Sequence, residues 1–286
     1  MTNCRLCNSD SLRDRFTVKE KYTICGCTVC GLVQLTYQPT DAEINAIYQD
    51  IYFSHGKYKD NDTLAKENIR RLSLLKKYVP GKSKVLEVGC GMGEFIHYSK
   101  SIFDMQGFDI SEHAIKIAKE RNPELADRFW SGQMKNQHFE AESFDAICMW
   151  DVIEHLWDFN PDIEKLVNAL KPNGYLFIST PNIGSWNSKL TGKYWAMMTP
   201  PEHMSFFNRS SMYYLFNKIV GPNTKVLEWH SKGKWVNVGF MLYKVNRIKA
   251  GMIPESMMKI FEKGPLSKLS IYVPTQDIQY VVVKKS

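Results

Sequence analysis

Four cysteines near the N-terminus have the types and spacing of a thiolate metal site. Cys4 and Cys7 form one C-x2-C pair, Cys27 and Cys30 form a second, and nineteen residues separate the two pairs. This spacing is typical of a zinc ribbon, in which four sulfurs surround the ion at about 2.3 Å and leave no position for water. We therefore predict a structural zinc ion, with free reduced thiols as the alternative. Cys25 is a spare thiol that could replace Cys27 as a ligand.

A glycine-rich loop follows the first strongly apolar run of the central chain. In the segment EVGCGMGE, Gly89, Gly91 and Gly93 let the backbone turn tightly and approach a ligand closely. Asp109 ends the next apolar run, twenty residues after Gly89, where a carboxylate can accept both hydroxyls of a ribose. The spacing predicts a nucleoside cofactor bound at this loop.

Two acidic residues of the loop distinguish between the possible cofactors. Glu94 stands where a dinucleotide fingerprint has its third glycine, and its carboxylate would repel a pyrophosphate at the start of the following helix. S-adenosylmethionine has no phosphate, and its ammonium group tolerates an acidic neighbour such as Glu87. We therefore predict S-adenosylmethionine, a methyl donor, as the cofactor.

Methyl transfer also needs groups that position the acceptor and remove its proton. Asp151 and His155 follow a predicted strand end, where open α/β sheets bind ligands. Asp151 is expected to orient the acceptor or the cofactor, and His155 either acts in catalysis or hydrogen-bonds the backbone beside the cofactor. His203 is the only group of an aromatic segment that titrates near neutral pH, so it is our predicted general base. A hydrogen bond that stabilises a lid is its alternative role.

These residues must be positioned by short apolar runs that alternate with amphipathic helices. The runs KVLEVGC, MQGFDI, FDAICMW and GYLFIST are predicted buried strands, and the alternation indicates βαβ units with a parallel sheet. Ser111 is the predicted N-cap of one helix, and Asn160, with Pro161 at the first helical position, is the predicted N-cap of another. A further helix precedes the sheet, with an apolar stripe of Ala65, Ile69, Leu72 and Val79.

The same motifs resemble those of class I S-adenosylmethionine-dependent methyltransferases. VLEVGCGMG resembles their acidic glycine loop, Asp109 in GFDIS resembles their ribose-binding acid, and FDAICMWDVIEHL and LKPNGYLFISTPN resemble the strands that follow. The match spans about residues 60–231. The resemblance implies an α/β fold with a Rossmann-like, mostly parallel sheet of seven strands and helices on both faces. It also implies an antiparallel last strand, which we assign to IQYVVVKKS.

The resemblance further implies roles for residues around the cofactor. The loop glycines would hold the methionine moiety and Asp109 the ribose, and Asp151 joins the expected cofactor contacts. The third strand is assigned to RFWSG, so Gln133 and Met134 are the candidates for the adenine, with core packing as the alternative for Met134. Within residues 232–275, WVNVGFMLYKVNRI could be a strand or a helix, and the resemblance favours an inserted helix.

A zinc ribbon joined to this core resembles bacterial methyltransferases that modify deoxysugars or surface polysaccharide precursors. We predict O-methylation of a sugar in a nucleotide-sugar or glycan, and the net charge of +7 would help to hold phosphates. The alternatives are C-methylation of a deoxysugar, RNA methylation and a non-enzymatic scaffold. The ribbon has little excess positive charge and no aromatic platform, so we expect no nucleic-acid partner. The predicted divisions are a zinc ribbon (1–38), a helical linker (39–80), the cofactor-binding core (81–182), a substrate lid with a helix (183–224) and C-terminal strands that complete the sheet (225–286).

Composition constrains where the protein works. Hydrophobic residues make up 44% of the 286 residues, which fits a folded globular protein. No run approaches the roughly 18 apolar residues of a membrane helix, and no secretion signal is evident, so we expect a cytoplasmic protein. Peripheral membrane contact stays open, and the sequence does not indicate an oligomeric state. A segment with helical spacing is either a packed cap or an amphipathic membrane-binding helix, through Met257, Ile260 and Phe261.

Overall fold

The computed structural model describes residues 3–47, 61–237 and 269–286. The predicted helix with Met257, Ile260 and Phe261 lies outside these residues, as does much of the region 232–275. The segment that begins at Trp235 starts as a strand and not as the favoured helix. Its first residues are bonded to the last strand, where Trp235 pairs with Tyr272.

The elements follow one another along the chain in three groups. The first group is β1 (Leu12–Val18), β2 (Tyr22–Cys27), β3 (Val33–Leu35), α1 (Asp41–Ile47) and α2 (Asn61–Tyr78). The second group is β4 (Lys84–Val88), α3 (Glu94–Ser99), β5 (Asp104–Asp109), α4 (Glu112–Arg121), β6 (Phe129–Ser131), β7 (Phe144–Trp150), α5 (Phe159–Ala169) and β8 (Leu170–Pro181). The third group is α6 (Trp186–Thr191), β9 (Ser205–Phe206), α7 (Arg209–Tyr214), β10 (Thr224–Asn237) and β11 (Ser270–Lys285).

The central sheet has seven strands in the order β10-β11-β8-β7-β4-β5-β6. The strands from β8 to β6 run parallel to one another. β11 runs antiparallel to both of its neighbours, β8 and β10. The predicted strand IQYVVVKKS falls within β11, so the fold class and the antiparallel last strand are both confirmed.

Helices cover both faces of the sheet because its central strands are apolar on both sides. In β4, Val85 packs in one buried cluster with Leu75 of α2. The next residue, Leu86, packs in a second cluster on the opposite face with Ile163 of α5. Successive side chains of a strand point to opposite faces, so a continuous apolar run such as this one needs a cover on each side.

The α2 helix differs from the predicted apolar stripe. Leu75 and Val79 are buried against the sheet, but Ile69 is 54% exposed. The buried positions toward the start of the helix are instead polar, namely Asn68 and Arg71. In the described part of the chain, no helix is long and apolar enough to cross a membrane.

The cysteine-rich N-terminal strands pack directly on the core. β1, β2 and β3 form an antiparallel sheet whose fourth strand is β9, supplied by the segment after β8. The Arg5 guanidinium lies 3.8 Å from the ring centroid of Trp157 and also donates hydrogen bonds to the Leu35 and Met204 carbonyls. The Asn208 amide donates to the Gly31 carbonyl at 2.7 Å. The N-terminal unit, which contains β1, β2 and β3, and the segment around β9 therefore form one continuous packed structure.

Two predicted helix signals take different roles. α5 begins at Phe159 with Asp158 at the N-cap position, so Asn160 is not the cap and Pro161 is the third helical residue. Pro161 still fits there, because the first turn of a helix has no intrahelical partner for its N–H groups. The Asn160 amide instead donates to the Arg5 and Leu6 carbonyls at 3.0 and 3.1 Å.

The predicted N-cap of α4 is confirmed, because the Ser111 hydroxyl accepts from the Ala114 N–H at 3.2 Å.

Candidate active site

A cavity of about 520 Å³ opens where β4, β5 and β7 end. Ligands of open α/β sheets bind at this carboxyl edge of the strands. The walls come from the strand ends, from α2, from the exit of the N-terminal unit at Gln38 and Pro39, and from the turn after β7. The predicted site residues that line it are Glu87, Gly89, Gly91, Asp109, Gln133, Met134, Asp151 and His155.

The glycine loop has a backbone that other residues would strain. Gly89, Gly91 and Gly93 have φ angles of 68°, 52° and 73°, all in the left-handed region. A Cβ on Gly89 would lie 2.5 Å from Cγ2 of Val152. The loop therefore presents bare backbone to the cavity, and Gly93 stands at the N-cap of α3.

Asp109 ties the end of β5 to this loop. Its Oδ2 accepts from the Gly91 N–H at 2.9 Å, and its Oδ1 accepts from the Ser111 N–H at 2.9 Å. The side chain is buried, and burial raises the pKa of Asp109 although the backbone N–H groups oppose this effect. The carboxylate therefore fixes the loop while it also lines the cavity.

Four buried polar atoms of residues in the cavity wall have no hydrogen-bond partner within the described ranges. They are Glu87 Oε2, Asn68 Nδ2, Arg71 Nε and Trp150 Nε1. Burial raises the pKa of Glu87 well above its usual value. Buried polar groups are normally satisfied, so such atoms around one cavity indicate a polar ligand. An amino-acid moiety has one ammonium and one carboxylate. It fits this wall because the Glu87 carboxylate can accept from the ammonium, and the Asn68 amide and the Arg71 guanidinium can donate to the carboxylate.

Sequence analysis missed Asn68 and Arg71. Their signal was present as polar residues at helical spacing on the face of α2 that turns toward the sheet. Arg71 Nη2 donates to Asp151 Oδ2 at 2.5 Å. Burial disfavours its charge, yet the carboxylate of Asp151 raises the pKa of Arg71 above its usual value. The guanidinium is therefore charged at the cavity wall.

Asp151 sits at a sharp turn directly after β7. Its φ of 59° is in the left-handed region, and its Oδ1 accepts from the Ser179 hydroxyl at 3.0 Å. These contacts orient its carboxylate toward Arg71 and the cavity.

The two predicted adenine contacts follow β6, as the assignment of RFWSG to the third strand requires. Gln133 and Met134 both line the cavity. Met134 is buried and also packs in the core cluster under the sheet, so cofactor contact and core packing are compatible for this residue. The adenine role of both residues stays a prediction.

The predicted histidines lie together but at different depths. His155 lines the cavity, whereas His203 is only 5% exposed and is not among the lining residues that the structure describes. Their ring centroids are 4.8 Å apart and the rings are nearly perpendicular. His203 is placed behind His155, so it would act on an acceptor in this cavity through His155 and not by direct contact.

The four predicted zinc ligands converge. The Sγ atoms of Cys4 and Cys30 are 3.5 Å apart, as are those of Cys7 and Cys27, and all four sulfurs lie within 4.8 Å of one another. Tetrahedral bonds of about 2.3 Å place sulfurs about 3.8 Å apart, which this arrangement fits. Cys25 lies outside the cluster, with its Sγ directed at the Gln34 carbonyl at 3.7 Å.

Comparison with known proteins identifies the class. A family model described as a methyltransferase domain matches residues 58–219, more than half of the chain. The chain therefore belongs to the methyltransferase domain family, which confirms the enzyme class that the resemblance of its motifs implies. The YcgJ protein of Bacillus subtilis has the same fold, with a TM-score of 0.54, 14% identity and coverage of 76% of this chain and 98% of that chain. The structure of a protein from Galdieria sulphuraria, described as a sarcosine dimethylglycine methyltransferase, has the same fold. Its TM-score is 0.53 at 18% identity, and the match covers 81% of this chain and 91% of that chain.

Curated relatives share part of this domain. Phosphoethanolamine N-methyltransferase 1 of Arabidopsis thaliana is 34% identical over 118 residues, which cover 40% of this chain and 23% of that protein. Ubiquinone biosynthesis O-methyltransferase of Coxiella burnetii is 30% identical over 145 residues, which cover 49% of this chain and 61% of that protein. The chain thus spans less than two thirds of the length of these relatives.

Proposed function

We propose that this protein transfers a methyl group from S-adenosylmethionine to a hydroxyl oxygen of a sugar, in a nucleotide-sugar or a surface glycan. The observation that carries the proposal is the cavity, in which the glycine loop, the Asp109 carboxylate predicted to bind the ribose, and unsatisfied polar atoms face one space. Glu94 also lines this cavity and forms an ion pair with Arg121. A carboxylate at the start of α3 favours a cofactor without a pyrophosphate.

Different residues of the cavity would bind different parts of the cofactor, according to their charge and hydrogen-bonding groups. Glu87 would hold the ammonium of the methionine moiety, and Asn68 with Arg71 would hold its carboxylate, since these residues carry unsatisfied polar atoms of matching charge or hydrogen-bonding type. Asp109 would accept the ribose hydroxyls. The bare backbone at Gly91 would lie against the chain between the ribose and the amino acid.

When bound, S-adenosylmethionine supplies a methyl carbon on a sulfonium, which a nucleophile displaces in line. The acceptor hydroxyl would give its proton to a basic group of the site, and a lone pair of its oxygen would form the new C–O bond. The C–S bond breaks with its electrons on sulfur, so the products are a methyl ether and S-adenosylhomocysteine. The protein must therefore position the oxygen and ease loss of its proton. Asp151 and His155 line the cavity and are the residues placed for this task, with His203 behind them.

The acceptor side has a composition that suits a phosphorylated sugar. Trp157 lines the cavity and offers an aromatic surface for a sugar ring. Lys135 and Lys165 line the cavity next to the predicted adenine contacts, where they would supply positive charge for a phosphate that reaches that side. The Lys165 ammonium is fixed by donation to the Met134 carbonyl at 3.1 Å.

We also propose that the four clustered thiolates hold a structural zinc ion. Four sulfurs suit zinc better than hard cations, and they leave no open position for catalysis. The cluster stabilises the sheet that includes β9, and Met204 next to β9 lines the cavity. Metal analysis of the purified chain should give one zinc per chain, and Cys7→Ser should lower that content.

Labelled methyl transfer tests the proposal. The full chain is incubated with methyl-labelled S-adenosylmethionine and separate fractions of nucleotide-sugars, glycan and RNA. Label in a sugar-containing fraction, with formation of S-adenosylhomocysteine, supports the proposal. Label in RNA, together with RNA retention that falls steeply with salt, would overturn it in favour of an RNA methyltransferase.

A further inference from the structure

Glu154, His155 and His203 form a cluster beside the cavity that the cofactor does not account for. One ligand atom from each residue lies within 4.8 Å of the others. Glu154 and His155 come from the short helical turn after β7, and His203 precedes β9. Residues that are 48 positions apart are therefore brought together at the junction of the core and the N-terminal unit.

The hydrogen bonds of the two imidazoles set their tautomers. The Nδ1–H of His155 donates to the Glu202 carbonyl at 2.9 Å, and the Nδ1–H of His203 donates to the Met197 carbonyl at 2.7 Å. A carbonyl only accepts, so in each neutral ring the lone pair is on Nε2. A histidine that donates Nδ1–H to a backbone carbonyl has the arrangement seen in metal ligands.

The Glu154 carboxylate is also held in a fixed position. Glu154 Oε2 accepts from the Thr180 hydroxyl at 2.8 Å, and its Oε1 lies 4.0 Å from Nε2 of His155. The Glu154 side chain is only 1% exposed. A cation placed among the three ligand atoms would compensate the charge of this buried carboxylate.

We propose that Glu154, His155 and His203 bind a divalent transition-metal ion such as Mn²⁺ at the acceptor end of the cavity. Two imidazoles and one carboxylate suit first-row metals and leave coordination positions open. His155 lines the cavity, so an ion bound to its Nε2 would lie next to the acceptor space. This site is separate from the four-thiolate cluster, whose positions are all filled by sulfur.

The site deepens the proposed function and rests on it for its role in catalysis. A hydroxyl oxygen on the ion would lose its proton more easily, because the metal stabilises the alkoxide. The acceptor would then be a sugar with a second oxygen next to the methylated hydroxyl, since two oxygens can occupy two open positions.

Binding of Mn²⁺ to the full chain, followed by electron paramagnetic resonance, tests the site without any assay of activity. Thiolates are soft ligands and Mn²⁺ binds them poorly, so the titration reports on the nitrogen and oxygen ligands. The wild type should bind about one Mn²⁺ per chain, and Glu154→Gln and His203→Gln should each weaken binding by about 10-fold or more. His138→Gln is the matched control, because His138 is exposed and outside the cluster. Circular dichroism checks that each variant is folded.

Two results would overturn the site: no uptake of Mn²⁺ by the wild type at millimolar concentration, or equal uptake by the folded variants and the wild type. Methyl transfer by the same preparations separates this inference from the proposed function. Transfer to a sugar without Mn²⁺ binding would remove the metal site and leave the function standing. Mn²⁺ binding that depends on these residues, with no label in any sugar fraction, would keep the site and remove the sugar acceptor.

Discussion

The two halves of the cavity are built in different ways. The cofactor half is built mainly from consecutive strand ends, in which one loop with three left-handed glycines and one carboxylate are bound to each other through a backbone N–H group, with Asn68 and Arg71 of α2 at its border. The acceptor half consists of segments far apart in the chain: Gln38 from the N-terminal unit, His155 and Trp157 after β7, and Met204 before β9. Local backbone conformation defines the first half, and tertiary contacts between separate segments define the second. Changes in one half should therefore leave the other intact.

The largest effect is expected from Asp109→Ala, which breaks the cofactor half alone. The variant loses the hydrogen bond from the Gly91 N–H that holds the loop, the hydrogen bond from the Ser111 N–H, and the predicted acceptor for the ribose hydroxyls. Calorimetry should show S-adenosylhomocysteine binding weakened by about 100-fold. Asp127→Ala, at an exposed position, should bind as the wild type does. Binding within about threefold of wild type in the Asp109 variant would show that the cofactor lies elsewhere.

The converse change is His203→Gln, which disturbs the acceptor half alone. The side chain packs against the ring of His155. Turnover of the labelled acceptor should fall by about 100-fold, the range expected when proton removal is impaired. Binding of S-adenosylhomocysteine should be unchanged, which also shows that the variant is folded. Normal turnover would mean that this histidine has no part in catalysis.

Arg71→Met sharpens the border between the halves, because Arg71 contacts Asp151 and also faces the proposed carboxylate subsite. S-adenosylhomocysteine should bind about 10-fold more weakly, since a charge-assisted hydrogen bond is lost. 5′-Methylthioadenosine lacks the amino-acid moiety, so its affinity should not change. Lys76→Met, on the exposed face of the same helix, is the control. Equal losses for both ligands would assign Arg71 a structural role only.

The smallest effect is expected from Arg5→Ala, which loosens the N-terminal unit from the acceptor half. Its guanidinium stacks on Trp157 and donates to the Met204 carbonyl. The KM for the acceptor should rise by about threefold, which corresponds to about 0.7 kcal/mol, with the affinity for S-adenosylhomocysteine unchanged. Arg13→Ala, at an exposed position of β1, should have the wild-type KM. A change in cofactor affinity would show that the two halves are coupled.

How much the sequence could predict follows the same division. The glycine loop, Asp109 and the Ser111 cap depend on neighbouring residues, and their spacing was sufficient to place them. Asn68 and Arg71 were missed because an apolar stripe assumes that a helix faces only the core. At this end α2 faces a cavity, where buried polar groups have a ligand to contact.

The relative depth of the two histidines also could not be predicted. Sequence places His203 in an aromatic segment after the fifth strand of the core, but the pairing of β9 with β3 decides how deep it lies. Asn160 is a similar case, since its side-chain amide donates to the Arg5 and Leu6 carbonyls and does not cap its own helix. Such long-range partners leave no periodic signal.

The pairing of β3 with β9 has a consequence for synthesis and for engineering. Val33 is made long before Phe206, the residue opposite it. On the ribosome the edge of the first three strands therefore stays uncovered until most of the chain has emerged, and it is open to wrong pairing during that time. A transplant of the N-terminal unit into a related enzyme would have to include residues 205–206, because otherwise the graft would arrive without its outermost strand.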